Sequence, residues 1–328
     1  MRNRAPSAGA TRAATAALAL AACLLSAPGA LGAQGAGTAG AELLQMSAGA
    51  RAAALGGAYT AASGDPDAVF YNPAASVWLD AGAGIGYEAY AEDITIGSLS
   101  GALDTGPVSL AAGLLFLDAG DISEVVPDPA FGGERGRPTG EDVGATEAAG
   151  RVAAAVRLAG GRAAAGAALG FFTSDLAGVS RSTVFADVGA QFRVNERVAL
   201  GAAIRNIGTG LASEGYGDAP LPAQARIGAT IRVPIGSTYG AAAFADGIWG
   251  IEEETAGLAL GVEAGFLPAT GAFTAVVRGG ATVGESDGHL GRLRFGGGLS
   301  IAGLALDYTV QVFEYLGAVH RAGIRWTR

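Results

Sequence analysis

Few residues in this 328-residue chain combine the types and spacing that chemistry requires. Asp65 and Asp67 flank Pro66 and could share a calcium ion, but a carboxylate just before a proline better suits a helix start or a structural hatch. The two histidines, His289 and His320, stand apart from any cluster of acids or cysteines, so a zinc site is not expected. A Ser/His hydrolase needs its base oriented by a third group, and the register of the last segment puts His320 on an apolar face. The Gly-x-Gly triplets precede no helix, so none reads as a phosphate loop. Cys23 follows Leu20-Ala21-Ala22 in the manner of a lipoprotein box, but Leu24 and Leu25 continue the apolar run beyond it. No catalytic residue, metal or cofactor is expected, and the chain does not read as an enzyme.

What remains is charge. All 21 cations are arginine, against 30 acids. Arg2, Arg4 and Arg12 precede an apolar stretch over 13–25, and Ala30-Leu31-Gly32 offers a small-x-small cleavage site, so residues 1–33 read as a secretory signal peptide. Its removal leaves 18 arginines against 30 acids, a net charge of −12 that disfavours nucleic acid as a partner. It also leaves no cysteine, which excludes disulfides.

The elements that must position these charges are strands. Half the residues are apolar, with 55 glycines and 16% charged residues. No stretch after residue 33 is long and apolar enough for a membrane helix. Period-two alternation instead marks fourteen segments: 82–90, 94–104, 106–117, 147–158, 162–174, 182–194, 197–207, 223–233, 237–246, 255–267, 271–283, 290–301, 303–313 and 318–327. Tight connections near 105, 159–161, 195–196, 234–236, 268–270 and 302 alternate with longer ones at 118–146, 175–181, 208–222, 247–254 and 284–289. An even count with alternating loop lengths predicts an all-β fold, a transmembrane up-and-down antiparallel barrel over 82–328 in a bacterial (Gram-negative) outer membrane. Its expected partners are outer-membrane lipid and the barrel-assembly machinery. A soluble all-β protein is the competing reading. The longest connection is acidic and rich in proline, and is either simply solvated or a docking site for a partner.

Within each segment the arginines fall opposite the apolar residues. Val184, Val188 and Phe192 share one face, with Asp187, Gln191 and Arg193 on the other. Arg151, Arg157, Arg193, Arg205, Arg226, Arg232, Arg278, Arg292, Arg294, Arg321 and Arg325, with Asp187, Glu263 and Asp307, are therefore expected in the lumen. An arginine on the lipid side at mid-bilayer would cost about 2–4 kcal/mol. The lumen arginines either pair with acids and a plug or line an anion path.

Residues 34–81 lack this alternation. The span 48–55 is alanine-rich and ended by Gly56-Gly57, and Asn72-Pro73 has the form of a helix start. Two short helices among small residues would fit inside a barrel as a hatch. Gly49-Ala50-Arg51, Leu55-Gly56-Gly57-Ala58-Tyr59-Thr60-Ala61, Asp65-Pro66-Asp67 and Tyr71-Asn72-Pro73-Ala74 resemble the N-terminal signature of the PorV/PorQ group, within the FadL-like outer-membrane transport proteins. Tyr315-Leu316-Gly317-Ala318-Val319-His320-Arg321 resembles that group's ending. The resemblance implies a fourteen-stranded barrel with an N-terminal hatch carrying Gly56, Gly57, Asp65, Asp67, Asn72 and Pro73. It also implies one of two roles: docking secreted cargo proteins in type IX secretion, or passing hydrophobic ligands such as fatty acids inward. The chain departs from the group in having Pro66 between its two acids and in ending Trp326-Thr327-Arg328 rather than on an aromatic residue.

Overall fold

A computed structural model describes residues 39–90, 94–212, 218–268, 273–284, 293–313 and 317–328. The expected signal peptide with Cys23, and also His289, Arg292, Tyr315 and Leu316, lie outside the described residues. The strands are β1 (Ala81–Ala89), β2 (Thr95–Asp104), β3 (Ser109–Pro127), β4 (Gly136–Leu158), β5 (Ala163–Leu176), β6 (Val179–Arg193), β7 (Val198–Gly208), β8 (Gln224–Ile235), β9 (Tyr239–Gly250), β10 (Thr255–Phe266), β11 (Phe273–Val283), β12 (Leu293–Ile301), β13 (Leu304–Phe313) and β14 (Gly317–Thr327). Each is antiparallel to its neighbours, and β1 pairs with β14 from Gly82↔Thr327 to Ala89↔His320, closing a fourteen-stranded barrel. Closure removes every edge within the wall, so its backbone groups are satisfied without water.

The strand period sorts the side chains. Val277 is 69% exposed on the outside while the adjacent Arg278 is 7% exposed on the inside. Leu169, Val184, Ile227, Val262 and Leu306 share the outer face, an apolar surface far larger than a soluble monomer tolerates. A slip of one residue in register would turn arginines outward, so the pairing is strongly specified.

Three expected long connections are shorter than the sequence suggested; one of them, 247–254, shrinks to 251–254 because β9 runs on to Gly250. The span 118–146 is not a loop: β3 and β4 run on as a two-stranded ribbon joined only by 128–135, with bulges between Asp118 and Asp121 and between Ser123 and Val125. Ser123 Oγ donates to Asp142 Oδ1 across it at 3.1 Å. Beyond the rim both faces of a strand are wet, so the alternation that identifies a strand disappears while its hydrogen bonds persist. The expected loop 175–181 is likewise a tight turn at Ala177 and Gly178, with φ of 52° and 78°, a left-handed pair that joins twisted strands closely.

The largest fully buried side chains lie inside the barrel, where residues 39–80 pack as a plug. It holds one α-turn, α1 (Ala50–Ala54), and three short 3-10 segments, Glu42–Leu44, Pro66–Phe70 and Pro73–Trp78. The helix expected after Asn72 is therefore 3-10: six residues opened by a proline are too few for a stable α-helix. Asp65 Oδ1 accepts from Asp67 N and Asn72 Oδ1 from Ala74 N, both at 3.0 Å, capping the two proline-led segments.

Candidate functional site: the plugged lumen

The plug is held differently on its two sides. Against β2–β6 the contact is apolar. Phe70 and Val69 press on Gly113, where a Cβ would lie 2.6 Å from the phenyl ring, and Val77 packs with Ala155 and Ala164. Asn72, fully buried, anchors this half: its Nδ2 donates to Thr60 O at 2.9 Å and to Ala190 O at 3.1 Å. Pro73 follows it against Gly189 of β6.

Against β10–β14 the contact is ionic and forms a closed ring. Arg51 of α1 reaches Glu263 at 3.1 Å and Asp65 at 3.4 Å. Glu263 meets Arg278 at 2.6 Å, and Arg278 meets Asp307 at 2.6 Å. Asp307 meets Arg325 at 2.7 Å, and Arg325 returns to Asp65 at 2.8 Å. Three guanidinium groups and three carboxylates alternate, two from the plug and four from the wall, so each ion has two opposite neighbours and the ring is neutral. Tyr59 Oη also donates to Asp65. Here α1 lies against bare backbone: a Cβ on Gly56 (φ 68°) would stand 2.8 Å from Ala281 N and Leu260 O. Only glycine combines that conformation with that approach.

Three further pairs stand beside the ring. Asp246 meets Arg226 at 3.0 Å and accepts from Tyr59 N and Thr60 N, each at 3.0 Å. Arg226 Nη2 donates to Gly57 O at 2.6 Å. Arg151 meets Asp187 at 2.8 Å, whose other oxygen accepts from Asn206 N at 2.7 Å. Arg321 meets Glu88, and Arg294 Nε donates to Gln311 at 3.0 Å. Arg193, Arg205 and Arg232 also point inward but have no carboxylate partner among the described residues; Arg205 is buried and donates to Leu44 O at 3.3 Å.

The terminal motif is split between faces. Gly317 opens β14, His320 points outward and meets Tyr308 Oη at 2.5 Å, and Arg321 points inward. Glu88 and Asp246 were missed in the sequence, although each is a lone acid in an otherwise uncharged strand, a parity signal that could have found them. Arg51 was visible only as part of a motif.

Asp67 belongs to the plug, not to a membrane strand, and sits behind Asp65 with Ser100 Oγ donating to it at 2.5 Å. Burial, followed by the charge of Asp65, pushes its carboxyl up to about 7. Burial acts the same way on Asp65, but Arg325 and Arg51 outweigh it and hold that carboxyl below its ordinary value.

Toward the end with the longer connections the plug stops short, leaving a cavity of about 410 Å³. Ser47, Gly56 and Gly57 form its floor, and Glu88, Arg226, Glu253 and Phe313 stand in its wall. The lining is mixed, with charged groups beside aliphatic and aromatic ones. Among the described residues no group of three or more acids, histidines or cysteines is placed to hold a metal.

No protein-family model and no curated protein matches the sequence, so the narrower PorV/PorQ resemblance has no support there. Solved structures do match in fold. The CymD monoaromatic hydrocarbon channel superposes with a TM-score of 0.58 at 10% identity, over 85% of this chain and 97% of that one. The toluene transporter TbuX of Ralstonia pickettii gives 0.54 at 14% identity, over 84% and 96%. The toluene transporter TodX of Pseudomonas putida gives 0.55 at 10% identity, over 83% and 95%. At these identities the likeness is one of fold alone.

Proposed function

We propose that the chain is an outer-membrane channel that admits small hydrophobic molecules past an internal plug. The observation that carries this reading is the pairing of a lipid-type outer wall with a small plug that leaves one end of the lumen hollow. The fold shared with hydrocarbon channels supports it over the export role that the end motifs imply. Passage requires the plug to shift, because the ion-pair ring closes the lumen below the cavity. Cells carrying the full chain in their outer membrane should take up a labelled monoaromatic hydrocarbon faster than cells without it. Equal uptake, with the protein shown to be folded in that membrane, would refute the reading.

One feature favours a second reading, a docking partner in protein export. The β3–β4 ribbon projects past the rim and exposes Ile122, Val125 and Phe131. Co-purification of secreted proteins with the full chain, lost when the ribbon is shortened, would decide for that role.

A further inference from the structure

The mouth at the short-turn end carries cations that the rest of the lumen does not explain. Arg193, the last residue of β6, stacks on Trp78 with its guanidinium carbon 3.7 Å from the ring centre. Trp78 Nε1 donates to Gln191 Oε1 at 2.7 Å, and Gln191 Nε2 donates to Thr60 O at 2.9 Å and Ala62 O at 3.0 Å. The guanidinium is thus positioned by an indole that is itself fixed. Among the described residues it nevertheless has neither a hydrogen bond nor an ion pair of its own.

Arg232 lies nearby on the same inner face. Arg193 pairs with Ala199 and Ala199 with Thr230, two residues before Arg232. The only hydrogen bond of its guanidinium among the described residues is a long one, 3.4 Å, to Ser63 Oγ. Arg157 is the third member, meeting Asp104 at 2.6 Å and donating to Val77 O. Both Arg232 and Arg157 are close enough to Arg193 for their charges to repel it.

The ring above is neutral, whereas among the described residues only one carboxylate, Asp104, is in ion-pair contact with any of these three cations. Arg193 and Arg232 are half-buried and open to solvent, with the forked donors that match a carboxylate or phosphate. We propose that the short-turn mouth binds a small oxyanion, carboxylate or phosphate, between Arg193 and Arg232. Trp78 serves as the platform that orients Arg193.

The test uses the full folded chain in a neutral detergent at constant ionic strength. Trp249 and Trp326 are replaced by phenylalanine, so that Trp78 is the fluorescent reporter. Benzoate and inorganic phosphate are titrated separately, with chloride as the control. The expected result is a saturable change in Trp78 emission with at least one of the two, half-complete at or below about 1 mM. R193Q and R232Q should each weaken it about tenfold, and R193K should weaken it too, since it keeps the charge but loses the fork. Benzoate alone would identify a carboxylate site, phosphate alone a phosphate site, and both a general oxyanion site. The proposal is overturned if neither anion saturates, if chloride reproduces the change, or if the R193Q/R232Q double variant responds like the parent. Should the glutamine variants fail to fold, R193K and R232K decide it, because unchanged binding in both would overturn it equally.

Discussion

Replacing Asp307 by asparagine probes the ring that ties the plug to the wall. Asp307 is 2% exposed in its side chain and touches Arg278 at 2.6 Å and Arg325 at 2.7 Å. D307N preserves size and leaves three guanidinium groups facing two carboxylates. Removing one partner of a buried ion pair costs about 3–5 kcal/mol. Arg278 keeps Glu263 and Arg325 keeps Asp65, so the loss should fall near the lower end, about 3 kcal/mol. R325Q leaves the opposite imbalance and should cost a similar amount. The double variant is neutral again, two cations against two acids. It should cost little more than either single variant, which corresponds to a coupling of about 2–3 kcal/mol. Urea unfolding of the barrel in micelles or bilayers, followed by its three tryptophans, measures all four species. Single losses below about 1 kcal/mol, or strict additivity to within about 0.5 kcal/mol, would refute the claim that these ions act as one circuit.

The other predictions concern the lipid face, the plug and pH. Val277→Arg puts a charge on the outer wall at mid-strand and should cost about 2–4 kcal/mol on folding into bilayers, whereas Val277→Leu should be nearly silent. Gly56→Leu cannot keep a φ of 68° against Ala281 and Leu260, so it should loosen the plug while leaving the barrel closed. Protease cleavage within residues 39–80, with unchanged heat-modified gel migration, would show this, and full protection would contradict it. Asp67, with its folded value near 7 raised above the ordinary aspartate value of about 4, holds its proton longer in the native state than when unfolded. Its contribution to stability is complete below about pH 4 and is lost as pH rises through about 7. Asp67→Asn should flatten that part of the pH profile, and an unchanged slope between pH 4 and 7 would exclude Asp67 as its source.

The wall was legible because a barrel strand has one dry and one wet face, and a period of two writes that difference into residues such as Val277 and Arg278. Fourteen strands, their order and the inward aim of the arginines all follow from that local rule. Where the rule lapses, in the wet ribbon of β3 and β4, the sequence misled, because hydrogen bonding between strands needs no pattern of side chains. The caps at Asp65 and Asn72 were readable for the same local reason.

The partners were not readable. Arg51 and Glu263 are 212 residues apart, and Arg325 and Asp65 are 260 apart. Closure of β1 on β14 and the path of the plug through the lumen bring them together. Sequence alone determined which side chains must avoid lipid, a matter of the free energy of single residues in a bilayer. Only the tertiary structure decided which cation meets which acid, and that Arg193, Arg205 and Arg232 meet none among the described residues. Ion pairing is set by distance in three dimensions, and nothing in the order of residues along the chain encodes it.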